Sequence, residues 1–328
     1  MRLVTRADFD GIVCGSLITL MEEIDSYFFI EPKFMQDGMV EIRRGDIIAN
    51  LPYHPDCSLW FDHHITNEPA WLSHIIGVED PSSILHPPSS VVPGKGGFRI
   101  APSAARVVYE YYTSEGGRRE ARGNRKTEGF KILHTERMRY LLEETDRIDA
   151  GQLVPDDVLD PKGYVLISMT LDGKRAEDEP YWLRLIPLLR DGSLEEALNN
   201  PEVKKRCQEI LDAQDRLKEI LLRRTTLEGN VIFVDLRGIP EIPDGNRFLL
   251  YTLFPAGNIS VKVAHDSQRP NTTAISVGYN IFNTTSRVNV GALMEKHGGG
   301  GHKVVGSCRV PDDRAEKSIR EIVEAVKE

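Results

Sequence analysis

The run "SLWFDHH" ends an apolar stretch in Asp62, His63 and His64, one carboxylate and two imidazoles in succession. Such side chains are costly to bury unless something pairs with them. Either they lie on a surface loop, or a metal ion waits at the end of a strand. Asp8 and Asp10 stand two apart in "RADFDG", directly behind the apolar "RLVT". Read alone, that spacing is an ordinary turn, as is Asp46 in "RRGDIIANLP". Taken together, these residues supply carboxylates and imidazole, a ligand mix suited to Mn²⁺ or a similar divalent ion. Carboxylates crowded on one sheet edge repel each other unless cations sit between them. Two ions sharing a bridging carboxylate would stabilise the attacking and leaving oxygens of an in-line phosphoryl displacement. Far along the chain, "HGGGGH" (297–302) offers backbone N–H groups with no side chains in the way, which suits phosphate or carboxylate oxygens. His302 adds a donor nearby. A flexible linker is the plainer reading of four glycines, but structured-looking sequence flanks this run closely on both sides.

The elements that must position these groups follow from hydrophobic patterning. "RLVT", "SYFFIEP", "GDIIANLP" and "CSLWFD" read as strands, with the apolar helical stretch "IVCGSLITLMEEI" between the first two. Strands alternating with helices imply a parallel sheet in an α/β fold. Ligands of such sheets sit outside the carboxyl ends of the strands, where both "RADFDG" and "DHH" would lie. Residues 80–100, rich in Pro, Ser and Gly, are expected as a long loop, and the cationic run 114–131 as a surface loop, a phosphate-facing lid or a nucleic-acid contact. "TERMRYLLEETDRIDAG" is expected as an amphipathic helix that brings Asp146 and Asp149 to its end. A helical connector is expected over 176–228, and then a β-rich portion closed by "VNVGALMEKHGGGGHKVVGSCRV" and a charged helix.

Bulk properties narrow the class. The 328 residues suffice for two domains, and 40% hydrophobic with 28% charged residues describes a globular chain. A net charge of −9 argues against a protein built for long duplex DNA, while leaving room for a local basic groove. Cys14, Cys57, Cys207 and Cys308 have no paired spacing, which fits reduced thiols in a cytoplasm. No stretch has the length and apolar character of a signal peptide or a membrane span.

In its motifs the chain resembles the DHH phosphoesterases that carry a C-terminal DHHA1 domain, a group that includes RecJ-like exonucleases, nanoRNases and exopolyphosphatase-related proteins. The resemblance rests on "VTRADFDGIVCGSL", "GDIIANLP", "WFDHH", "LLEETDRIDAG" and "SRVNVGALMEKHGGGGHKVVGS", in that order. It implies an α/β protein of two domains. Residues 1–175 would be a parallel-sheet DHH domain, 176–228 the helical connector, and 229–328 a smaller α/β DHHA1 domain. It also implies two manganese ions, with Mg²⁺ or Co²⁺ as substitutes. Asp8 and Asp10 would each hold one ion, Asp46 would bridge them, and His63 and Asp146 would complete the second, with Asp149 as the alternative to Asp146. Asp62 would orient the imidazoles, and His64 would face the phosphate. Ser286, Arg287, Asn289, Gly298, Gly299, Gly300, Gly301 and His302 would hold the rest of the substrate across a cleft between the domains. The chain departs from the pattern at Val4, where many relatives carry a histidine, so the first ion would lack an imidazole.

The activity implied is manganese-dependent hydrolysis of terminal phosphoesters, with short single-stranded oligonucleotides or phosphonucleotides as substrates. An exopolyphosphatase-type hydrolase is the second reading. A third is a silent nucleotide-binding protein that keeps the fold, to which Val4 lends support. The resemblance leaves room for a homodimer.

Overall fold

A computed structural model describes residues 1–77, 90–92, 94–114, 124–266 and 269–328. The chain divides into two compact units, one of residues 1–153 and 162–207, the other of 154–161 and 208–328. The segment expected as a connector is helical as far as Arg224, and its residues are shared between the two units.

The first unit is built on a six-stranded sheet: β1 (Arg2–Thr5), β2 (Ser26–Phe29), β3 (Ile47–Ala49), β4 (Leu59–Asp62), β5 (Ser90–Val92) and β6 (Gly96–Phe98). Their order is β2-β1-β3-β4-β6-β5, and every pairing is parallel except β5 with β6. The expected long loop over 80–100 is therefore corrected in part. "SVV" and "GGF" extend the sheet, because backbone groups beside β4 need partners and Gly96 lets a strand approach Trp60 closely. Residues 80–89 and 93 of that stretch lie outside the described residues.

Helix α1 (Phe9–Met21) follows β1 and is buried along its whole length, as its nearly uniform apolar sequence requires. Asp8 caps it, accepting the Gly11 N–H. A Cβ on Gly11 would lie 2.2 Å from the Arg6 carbonyl oxygen, so only glycine lets the 6–8 turn fold beneath the helix. Three further helices complete the surroundings of the site: α2 (Ala104–Thr113), α3 (Asn124–Leu133) and α4 (Glu136–Asp149). The cationic run 114–131 is thus helical from residue 124. Gly129 places α3 against the backbone of Leu20, which accounts for order in so polar a segment. Residues 115–123 are not among those described. The core joins α1, α2 and α4 with Phe61 and Ile47, and a second apolar cluster around Trp60, Trp71 and Val4 lies apart from it.

The second unit carries a sheet of order β11-β12-β10-β9-β8-β7, formed by β7 (Thr225–Glu228), β8 (Val231–Asp235), β9 (Ile259–His265), β10 (Thr272–Tyr279), β11 (Gly300–His302) and β12 (Val305–Pro311). Only β8 and β9 pair in parallel. Two helices, α5 (Val290–Glu295) and α6 (Asp312–Val326), pack on it through Val290, Met294, Ile319 and Ile322. No described helix is long and apolar enough to cross a membrane.

Candidate metal centre

Because β1, β3 and β4 run parallel, whatever follows each of them emerges on the same edge. Asp8 and Asp10 follow β1, Asn50 follows β3, and His63 and His64 follow β4. Asp10 is 2% exposed. Its two carboxylate oxygens accept the N–H groups of Ala104 and Ala105 at 2.9 and 2.8 Å, so it sits on the N-terminus of α2. Burial, together with the neighbouring charges of Asp149 and Asp8, nonetheless raises its carboxyl well above the usual range. Burial and Asp8 also raise Asp149, against the opposing pull of His63, His64 and Arg6. Cys14 is pushed up by the same burial and the same acids. One pocket holds acids that destabilise one another's charge.

His63 shows what that pocket is shaped to receive. Its Nδ1 lies 3.0 Å from the Ala101 carbonyl, which can only accept, so Nδ1 carries the proton. In the neutral ring, Nε2 then presents a lone pair. It faces Asp149 at 3.4 Å and Asp10 at 3.9 Å, is buried, and has no hydrogen-bond partner. A lone pair opposite two carboxylates is unfavourable until a cation lies between them. The donor atoms of Asp10, His63 and Asp149 all fall within 4.8 Å of one another. Ligands about 2.1 Å from a common ion stand about 3 to 4 Å apart, so this group fits a divalent cation.

Asp62 is wholly buried, and with His63 and His64 it forms a second group whose donor atoms lie within 4.8 Å of one another. Its oxygens bind His64 Nδ1 at 2.8 Å and the Asn67 amide at 2.6 Å. It therefore orients one of its two neighbouring imidazoles, His64, and raises the pKa of that ring above its ordinary value through the hydrogen bond, against burial. The rings of His63 and His64 meet edge to face at 4.2 Å. His64 remains partly exposed beside the buried group.

Two expected ligands stand elsewhere. Asp46 precedes β3 and so lies at the opposite, amino edge of the sheet. There it is bound by Arg2 at 2.5 and 3.1 Å and by the Arg43 N–H at 2.8 Å. The place expected for it beside Asp8 is taken by Asn50, whose Nδ2 donates to Asp8 Oδ1 at 3.0 Å. Asp146 is tied to Ser103 at 2.6 Å and to the Arg106 guanidinium. One helical turn further on, Asp149 reaches His63, because residues three apart share a helix face but differ in height along it. Sequence reading also missed Arg6, which pairs with Asp8 at 2.8 Å. The available signal was position, since Arg6 and Asn50 each follow a strand on the edge already singled out. Val4 is fully buried in the Trp60 cluster.

The residues expected to bind substrate lie in the second unit. Ser286 and the Arg287 N–H bind Glu328 Oε1 at 3.3 and 2.8 Å, and Asn289 caps α5 through the Ala292 N–H. The glycine run is not an open loop. Gly298 and Gly299 donate their N–H groups to Glu295 and Met294, ending α5, and Gly300 and Gly301 belong to the edge strand β11 with His302. The physical reason is close packing: a Cβ on Gly299 would meet the Ser307 carbonyl at 2.1 Å. Arg287, Gly301 and His302 remain exposed.

The sequence matches no family model and no curated protein. Solved structures do match. A pGpG-specific phosphodiesterase, PggH, from Vibrio cholerae is 32% identical, with a TM-score of 0.79 over 99% of this chain and 98% of that one. An exopolyphosphatase-related protein from Bacteroides fragilis shares the fold at 10% identity and a TM-score of 0.52, over 99% and 90% of the two chains. RecJ from Thermus thermophilus, solved with Mn²⁺, shares it at 14% identity and a TM-score of 0.52, over 99% of this chain but 51% of its own.

Proposed function

The chain belongs to the DHH family of phosphoester hydrolases, and from that premise we propose that it is a manganese-dependent phosphodiesterase that cleaves a linear dinucleotide or a comparably short 5′-phosphorylated oligonucleotide. The observation that carries the catalytic part is the buried group of Asp10, His63 and Asp149, with His63 Nε2 unpartnered among carboxylates. The substrate class is supported by likeness over nearly the whole length to a pGpG-specific enzyme. The net charge of −9 also suits short substrates better than long duplexes.

Asp10, His63 and Asp149 would hold the ion. A divalent cation in such a site supplies charge against phosphoryl oxygens and acidity for an attacking water. The chain's own groups do the rest. Ala104 and Ala105 hold Asp10 in one orientation, and Ala101 sets the tautomer of His63, the role of outer hydrogen bonds in metal sites generally. Asp62 aims His64 and favours its charged form, whose Nε2–H would meet a non-bridging phosphate oxygen as charge develops there. Arg287 and His302 in the second unit are assigned to substrate binding, and the first unit to catalysis.

The test offers the purified protein manganese with pGpG, 3′-phosphoadenosine 5′-phosphate and short polyphosphate, side by side with a His63→Ala variant. The expected result is GMP from pGpG, lost in the variant. Orthophosphate from polyphosphate alone would replace this reading with that of an exopolyphosphatase.

A further inference from the structure

The acids on the carboxyl edge fall into two groups with opposite surroundings. Among the described residues, the side chains around Asp10 that could carry charge are acids, His63 and the Cys14 thiol, and its backbone donors are the amides at the N-terminus of α2. Asp8, by contrast, is already satisfied. Its Oδ1 accepts from Gly11 N–H at 2.9 Å and Asn50 Nδ2 at 3.0 Å, and its Oδ2 pairs with Arg6 Nη1 at 2.8 Å. Arg6 is a permanent cation, and its charge is felt at Asp149 and His64 as well.

Asn50 is the second observation. It is 1% exposed and holds a left-handed backbone, φ 59°, which asparagine adopts more readily than most residues. Turning its amide over would set oxygen against the Asp8 carboxylate, so the donor orientation is required. Its Oδ1 is then buried with no partner. A neutral amide oxygen can contribute to one cation, but unlike a carboxylate it adds no negative charge to hold two.

We propose that this site holds a single divalent cation, on Asp10, His63 and Asp149, and that Arg6 and Asn50 close the position over Asp8 to a second one. Arg6 provides there, from the protein, the positive charge that a second ion would bring. Val4 agrees with this, since no imidazole stands behind Asp8. The inference rests on the metal-dependent reading above and changes its stoichiometry.

Manganese binding to the ligand-free protein, measured by equilibrium dialysis with electron paramagnetic resonance of the bound ion, decides it without reference to turnover. One ion per chain with an isolated-ion spectrum is expected, abolished by Asp10→Asn and kept by Asp8→Asn. The double variant Arg6→Ala/Asn50→Asp should acquire a second ion and a spin-coupled spectrum. Two ions in the wild type, none at all, or loss of the ion on Asp8→Asn would overturn the single-ion site. A double variant that folds, by its thermal transition, yet stays at one ion would overturn the roles of Arg6 and Asn50. Turnover of pGpG is scored separately: two ions with activity sinks only this inference, and one ion without activity sinks only the proposed function.

Discussion

The two edges of the first sheet each bury an aspartate to the same degree, and the two have opposite meanings. Asp46, at the amino edge, is 2% exposed and meets Arg2 and the Arg43 N–H, so its charge is matched within the chain. Asp10, at the carboxyl edge, is also 2% exposed, but its charged neighbours are Asp149 and Asp8. Burial alone therefore does not mark a functional acid. What marks it is the missing cation. A matched buried ion pair holds strands in register; an unmatched cluster of buried acids is a candidate site.

Substitution at the two aspartates should separate these meanings. Asp10→Asn should lower phosphodiesterase turnover by about 10³-fold, the equivalent of several kcal/mol of lost charge stabilisation. Its thermal midpoint should hold or rise, because a repelling charge is gone. A fall in midpoint with turnover retained would make Asp10 structural after all. Asp46→Asn should do the reverse. It leaves Arg2 without its carboxylate at a site where that side chain is 12% exposed, and breaking such a pair costs about 3 kcal/mol. Urea unfolding measures this, and turnover per folded molecule should stay within about twofold of wild type. Loss of metal binding in that variant would restore Asp46 to the centre.

The smallest expected effect concerns His64. Its hydrogen bond with Asp62 raises its pKa above the ordinary 6.5. A folded pKa above the unfolded one means that the imidazolium contributes stability fully below pH about 6.5, and that this contribution fades as pH rises through the folded value. The stability gap between wild type and His64→Gln should accordingly be widest below the ordinary imidazole pKa of 6.5 and shrink as the pH rises above it, as read by thermal unfolding. A gap independent of pH would mean that His64 is held by packing and not by charge.

Much of this was legible in the chain itself. Apolar runs of strand length that end in acids or histidines announced a parallel sheet with a loaded edge, because side chains of that kind at strand ends are too costly to place there by accident. The same logic put Asp8, Asp10, His63 and His64 on one edge, where the parallel strands bring them. It misplaced Asp46, since an acid just before a strand and an acid just after one look alike in sequence but lie a strand's length apart in space. It left Asp146 and Asp149 as alternatives, because a three-residue interval on a helix is resolved only by what packs against each. The glycine run was read as open backbone, whereas Gly299 is there because Ser307 leaves no room for a side chain.

By itself, then, the sequence determined the fold class, the family and which residues share the carboxyl edge, all properties of local pattern. Only the tertiary structure decided which acids lack a cation. Arg2 reaches Asp46, Arg106 reaches Asp146 and Arg6 reaches Asp8, while among the described residues no lysine or arginine pairs with Asp10 and only His63 lies at ion-pair distance. Charge matching depends on distances of a few ångströms between residues from 2 to 44 positions apart in the chain, and no spacing in a sequence encodes that.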